Sequence, residues 1–99
     1  MNETPSPRAE TAARARVTIV NQRGLHARAA AKFVDLARRF DAEIVVAKDG
    51  TEVSGLSIMG LMMFVAAPGT VIEIRGHGAE AAAAVEALTS LVEAGFHES

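Results

Sequence analysis

A histidine and an arginine lie two residues apart in the first third of the chain, at His26 and Arg28. Imidazole titrates near neutral pH, so an unprotonated ring nitrogen is available as a nucleophile. A guanidinium group can hold a phosphoryl oxygen with its fork of N–H donors. The pair therefore indicates phosphoryl chemistry, with His26 as the nucleophile and Arg28 as the phosphate clamp. The alternative is that His26 only packs or hydrogen-bonds at this place, since lone histidines are common.

The elements around His26 favour the chemical interpretation. Residues 16–21 are rich in β-branched side chains and predict a strand, and Arg23-Gly24 predicts a turn. A helix is predicted from Ala27 to Arg39, so His26 lies at its N-cap, where imidazole is not a preferred residue. The first backbone N–H groups of a helix have no partners within the helix and favour a bound anion such as phosphate.

A second helix is predicted from Ser57, a good N-cap residue, to about Val65. It is apolar nearly all round, with Leu61 and Phe64 on one side. The opposite side carries an isoleucine and three methionines, which are Ile58, Met59, Met62 and Met63. A helix on a single sheet buries only one side, so the other is expected to be an exposed patch suited to partner docking. The alternative is that the N-terminal extension or the first helix covers this patch.

The remaining pattern completes a small two-layer fold. Residues 43–47 and 51–53 predict strands joined by a tight turn at Asp49-Gly50, and residues 70–75 predict a fourth strand. Residues 79–94 predict the last helix, with Gly95 just beyond its end and His77 in a loop. The order βαββαβα predicts an α+β (two-layer α/β) fold, in which an antiparallel sheet carries its helices on one face. Residues 1–14 are expected to be a disordered extension, and residues 15–99 the domain.

Composition limits the possible functions. The 99 residues suffice for one core, and the chain has no cysteine, which fits a cytoplasmic setting without disulfides. No apolar run is long enough to span a bilayer, and no signal peptide or membrane partner is predicted. The first 50 residues hold nine Lys/Arg and six Asp/Glu, whereas the rest hold one and six. The basic half suits a phosphate or an acidic partner, but four aromatic residues and a net charge of −2 argue against nucleic acid.

The segment NQRGLHARAA resembles the active-site signature of HPr, the histidine phosphocarrier of the bacterial phosphoenolpyruvate-dependent phosphotransferase system. The segment SGLSIMGLMMFVAAPGTVIEIRGHG resembles that family's second signature, which surrounds a regulatory serine. The likeness extends from about Val17 to Phe96. One residue departs from the pattern, because family members usually carry proline where this chain has Ala29. Without proline, Arg28 is expected to be less well preorganised.

The resemblance implies an open-faced β-sandwich with three helices on one side of four strands. It implies a carrier rather than an enzyme, with no cofactor, in which enzyme I phosphorylates His26 and an enzyme IIA accepts the phosphoryl group. Ser57 matches the serine that a dedicated HPr kinase/phosphorylase modifies in some members. The docking surface is expected to include Ala31, Ile58, Met59 and Met62, and the protein is expected to act as a monomer.

The segments LVEAGFHES and FDAEIVV resemble the nitrogen-related branch of the family more than the sugar-transport branch. A different class of function is a regulatory binding module that uses Ser57 and the Met-rich helix while His26 is not phosphorylated. A metal-binding protein is disfavoured, because the three histidines show no spacing typical of metal ligands.

Overall fold

The computed structural model describes residues 12–64 and 66–98. Its elements are β1 (Ala13–Thr18), α1 (Ala27–Ala37), β2 (Glu43–Lys48), β3 (Thr51–Ser54), α2 (Ile58–Met63), β4 (Val71–His77) and α3 (Ala81–Glu93), followed by a short turn at Gly95–His97. The predicted βαββαβα order is confirmed. The expected disorder of the N-terminal extension concerns mainly residues 1–11, which lie outside the described residues.

The four strands form one antiparallel sheet in the order β1-β4-β2-β3. The central strand β4 alternates as predicted, with Ile72 and Ile74 fully buried and Val71 exposed. The three helices cover one face and bury their apolar stripes against it. The core includes Phe33, Val34, Leu61, Val85, Leu88 and Phe96. The two-layer, open-faced sandwich predicted from the sequence is therefore confirmed.

The opposite face of the sheet carries charged side chains. Arg75 on β4 donates hydrogen bonds to Glu73 beside it and to Glu52 on β3. Donation from Arg75 and the positive charges of Arg75, Arg14 and Arg16 hold the pKa of Glu73 below its ordinary value. These pairs keep the uncovered face polar, so the sheet needs no second layer of helices.

Several predicted boundaries were wrong by a few residues. β1 begins at Ala13, three residues before the predicted start of the strand at residue 16, and pairs with β4 from Gly76 onwards. It also ends at Thr18 rather than Asn21, because the Asn21 amide donates to Gly24 and closes a turn. His77, predicted in a loop, is the last residue of β4 and pairs with Glu43.

Two tight connections were predicted correctly from their residues. Asp49 and Gly50 have φ angles of 51° and 82°, as a hairpin turn with two left-handed residues requires. Gly95 follows α3 with φ 63° and reverses the chain, so that Phe96 returns to the core with no exposed surface. This reversal carries the C-terminal residues towards the start of α1.

Candidate functional site

His26 is the N-cap of α1, as the sequence predicted. Its backbone is extended (φ −76°, ψ 178°), and its ring nitrogen Nδ1 accepts from the backbone N–H of Arg28 at 3.3 Å. The first intrahelical bond, from Ala30 N–H to His26 O, is 2.8 Å long. The imidazole thus takes the capping position of a serine or aspartate, with Nδ1 at the positive end of the helix dipole.

The loop before α1, which carries His26, is held by contacts with the segment between α2 and β4. Leu25 N–H donates to Ala66 O at 3.0 Å, and Leu25 itself is buried. Gly24 has φ 65° and passes so close to this connection that a Cβ there would lie 2.0 Å from Ala66 O. Only glycine fits such an approach, so Gly24 ties the loop before α1 to the segment between α2 and β4.

The other ring nitrogen of His26 contacts the C-terminal segment. Nε2 is hydrogen-bonded to the carboxylate of Glu98, and the two side chains are only 22% and 19% exposed. A carboxylate accepts and cannot donate, so Nε2 carries the ring proton and Nδ1 of the neutral ring keeps its lone pair. Glu98 therefore selects the tautomer whose free nitrogen faces the helix N-terminus.

Two further contacts hold the C-terminal segment in this position. Asn21 Nδ2 donates to Gly24 O at 2.8 Å and to Glu98 Oε1 at 3.1 Å. These bonds join the loop before α1 to the C-terminal segment. Lys32 Nζ donates to Phe96 O at 2.7 Å. Hydrogen bonds donated by His26 and by Asn21, together with the positive charge of Lys32, hold the pKa of Glu98 below its ordinary value despite partial burial. Glu98 is therefore a stable anion at neutral pH.

A groove beside the ring is lined by basic side chains. Arg23, Arg28 and Lys32 line it from the first half of the chain, and the acidic side chains of Glu93 and Glu98 line it from the C-terminal segment. Arg28 is exposed, so its guanidinium can reach a phosphoryl group next to His26 without losing buried contacts. Ala29, where the family usually has proline, is completely buried in the first turn of α1.

Ser57 is the N-cap of α2, as predicted. Its hydroxyl oxygen accepts from the backbone N–H of Gly60 at 2.9 Å. A Cβ at Gly60 would lie 2.9 Å from that oxygen, so glycine leaves the hydroxyl room. α2 has the two sides that its sequence predicts, with Leu61 and Phe64 buried and the other side exposed.

The exposed side of α2, which we call the Met-rich face, consists of Ile58, Met59, Met62 and Met63. Their exposed fractions are 39%, 72%, 37% and 74%, and Leu56 just before the helix is 53% exposed. Ala31 on α1, which packs beside α2, is exposed as well. The predicted apolar patch is confirmed as a surface, whereas its docking role stays a prediction.

Sequence reasoning missed Glu98 and Asn21 as neighbours of His26. The reversal at Gly95 was predicted, but the pattern carries no information on which loop the last residues reach. Among residues 12–64 and 66–98, no three His, Asp or Glu side chains lie together as metal ligands would. The same residues contain no helix that is both long and apolar enough to cross a membrane.

Comparison with known proteins agrees with this fold. Residues 13–94 match the family described as "PTS HPr component phosphorylation site". The chain is thus a component of the phosphotransferase-system class, a carrier and not a catalytic enzyme. More particularly, it belongs to the HPr family of phosphocarrier proteins.

The relatives come from both named types within the family. The phosphocarrier protein HPr of Neisseria meningitidis is 50% identical over 82 residues, which cover 83% of this chain and 92% of the relative. The phosphocarrier protein NPr of Shewanella violacea is 45% identical over 83 residues, covering 84% and 91%. The crystal structure of HPr-C-His from Thermoanaerobacter tengcongensis superposes with a TM-score of 0.83 at 38% identity, covering 88% of this chain and 98% of that one.

Proposed function

We propose that this protein carries a phosphoryl group on Nδ1 of His26, received from phosphorylated enzyme I and passed to an enzyme IIA. The observation that supports the proposal is that both ring nitrogens of His26 are hydrogen-bonded, each to a different part of the chain. Glu98 binds Nε2–H, while the lone pair of Nδ1 faces the first amides of α1. In such a step Nδ1 attacks phosphorus, a new N–P bond forms, and the N–P bond to the donor histidine breaks.

The surroundings of Nδ1 suit the product of this step. A phosphoryl group there would replace the ring nitrogen as acceptor of the Arg28 N–H and would lie at the positive end of α1. The Arg28 guanidinium is exposed and can bind a phosphoryl oxygen. The carboxylate of Glu98 can balance positive charge that develops on the ring, because it remains hydrogen-bonded to Nε2.

We also propose that partners dock on Ala31, Ile58, Met59 and Met62, with the protein acting as a cytoplasmic monomer. Partner docking needs an apolar surface near the reacting atom, and the Met-rich face lies on the helix beside α1. Ser57 is proposed as a regulatory site for an HPr kinase/phosphorylase. Its hydroxyl has room beside Gly60 and borders the same face. The similarity to an NPr supports the nitrogen-related branch, with a regulatory rather than a transport output.

Labelling with phosphoenolpyruvate and enzyme I tests the carrier function. Wild-type protein should acquire an acid-labile, alkali-stable phosphoryl group, whereas His26→Ala should acquire none. His97→Ala is the matched control, because His97 is exposed and lines the same groove. Nitrogen-15 shifts of the labelled ring should identify Nδ1 as the substituted atom. Undiminished labelling of His26→Ala would place the phosphoryl group on another residue and contradict the proposal. Absence of labelling in the wild type would favour a regulatory module that acts only through Ser57 and the Met-rich face.

A further inference from the structure

The sulfur chemistry of this protein is confined to methionine. The chain has four methionines and no cysteine, and three of the four lie on α2. All three are at least 37% exposed, so their thioethers do not lie in the core, where methionine usually fills gaps between other apolar side chains. Instead they occupy the Met-rich face, of which the proposed function assigns Ile58, Met59 and Met62 to partner docking.

Exposure separates the three methionines of α2. Met59 and Met63 are 72% and 74% exposed, whereas Met62 is only 37% exposed. Met59 and Met63 are four residues apart, so their side chains are neighbours on one helical surface. An oxidant dissolved in water can approach both sulfur atoms directly, and it meets Met62 less readily.

We propose that Met59 and Met63 form an oxidant-sensitive switch, in which hydrogen peroxide converts both to methionine sulfoxide and thereby weakens partner docking. The inference rests on the proposed carrier function. In the reaction a sulfur lone pair attacks one peroxide oxygen, an S–O bond forms as the O–O bond breaks, and water leaves. Sulfur loses two electrons and the peroxide gains them. Methionine sulfoxide reductases reverse the change with electrons from a dithiol.

The fold and the docking surface respond differently to this modification. A sulfoxide is polar, so a partner that covers it must remove its hydration without returning an apolar contact. The core below α2 is built from Leu61 and Phe64 and contains neither of the two sulfurs. Oxidation should therefore slow phosphoryl transfer while leaving the melting temperature nearly unchanged.

The test treats the purified full chain with hydrogen peroxide, removes the peroxide with catalase, and only then adds enzyme I and phosphoenolpyruvate. Peptide mass spectrometry verifies the sulfoxides at positions 59 and 63. The rate constant for phosphorylation of the oxidised protein should fall by on the order of ten-fold, which corresponds to a loss of about 1.4 kcal/mol of docking free energy. The double variant Met59→Leu/Met63→Leu keeps apolar side chains of similar volume but removes both sulfur atoms, so its own transfer rate should be the same before and after peroxide. Incubation of the oxidised wild type with both stereospecific methionine sulfoxide reductases should restore its original rate constant for phosphorylation.

Each contrary result has a distinct meaning. An unchanged transfer rate in fully oxidised wild type would overturn the switch and leave the carrier function intact. Equal slowing of the double variant by peroxide would overturn the assignment to Met59 and Met63. A fall in melting temperature that parallels the slower transfer would show that oxidation slows transfer by unfolding the protein and not by weakening docking, which would overturn the switch. Absence of phosphorylation in the untreated protein would overturn the carrier function and the switch together.

Discussion

The two candidate functional regions of this protein differ in how their side chains are held. At the His26 site every polar atom of the ring has a named partner, and the contacts come from distant parts of the chain, Glu98 and the start of α1. The Met-rich face has exposed apolar side chains that make no such specific bonds. One region fixes a single group in one orientation, and the other exposes adaptable apolar side chains.

This difference predicts how each region responds to substitution. Hydrogen bonds to charged groups are directional, and loss of one partner leaves the other unsatisfied. Apolar contact is roughly additive in area and tolerates exchange among side chains of similar size. Single polar substitutions near His26 should therefore have large and selective effects, whereas the Met-rich face should respond mainly to added charge or polarity.

The largest effect in this comparison, apart from loss of His26 itself, is expected for Arg28→Ala. It removes a charge-assisted contact to the phosphoryl group, which should slow transfer by roughly 10- to 100-fold. Arg28 is exposed, so the melting temperature should stay the same. Rapid-quench measurement of the transfer rate checks this, with Arg23→Ala as the control from the same groove. Equal slowing by both variants would show that the groove acts through its total charge and not through a clamp at Arg28.

A negative charge at the edge of the Met-rich face should have the next largest effect. Ser57→Asp keeps a good N-cap for α2 but introduces a charge beside a surface that partners must desolvate. We expect phosphorylation by enzyme I to slow by on the order of ten-fold, and added salt to relieve the electrostatic part. The melting temperature of this variant should hold or rise slightly.

Ser57→Ala is the complementary variant for this prediction. It removes the hydroxyl that accepts from Gly60 N–H, and it should cost roughly 1 kcal/mol of folding free energy without slowing transfer much. The two variants thus separate the capping role of Ser57 from its place beside the docking surface. Slow transfer in Ser57→Ala with normal transfer in Ser57→Asp would contradict the assignment.

A smaller effect, visible in stability, is expected at Glu98. Hydrogen bonds from His26 and Asn21 lower the pKa of Glu98 in the folded protein, so the folded state favours the carboxylate. The resulting stability is present above the ordinary pKa of 4.5 and is lost as pH falls through the lowered value. Glu98→Gln should therefore be less stable than wild type at neutral pH, and the difference should vanish in acid.

Chemical unfolding of both proteins across this pH range checks the prediction. Glu93→Gln is the matched control, because Glu93 is exposed and lines the same groove. A stability difference for Glu98→Gln that is independent of pH would show that the carboxylate is not held by these bonds. Nitrogen-15 shifts of the His26 ring in Glu98→Gln should also report a less exclusive tautomer.

The two regions also differ in how far the sequence predicts them. The caps at His26 and Ser57 and the sidedness of α2 follow from local spacing, because a helix fixes which residues share a face. The contact of Glu98 with His26 joins positions 72 residues apart. It depends on where α3 ends and how the turn at Gly95 directs the chain. No local sequence pattern encodes a contact between residues so far apart. The sequence therefore predicted His26 and the start of α1 but not the contact with Glu98.

The smallest expected effect concerns position 29, where this chain has alanine and family members usually have proline. Substituting it tests how much the backbone beside His26 is already restricted. Ala29 lies in the first turn of α1, before the ladder of intrahelical bonds begins at Ala30 N–H. Ala29→Pro therefore removes no helical hydrogen bond, and it restricts the unfolded chain. We expect a gain of about 0.5 kcal/mol in folding free energy, seen as a rise of a few degrees in melting temperature, and a modestly faster transfer because Arg28 becomes more restricted.

Ala30→Pro is the control. It breaks the 2.8 Å bond to His26 O and should destabilise the protein by about 3 kcal/mol. Ala29 has no exposed surface, so the added ring atoms must fit against the core. A loss of stability in Ala29→Pro would mean that packing at position 29, and not backbone freedom, decides which residue this chain tolerates beside its active histidine.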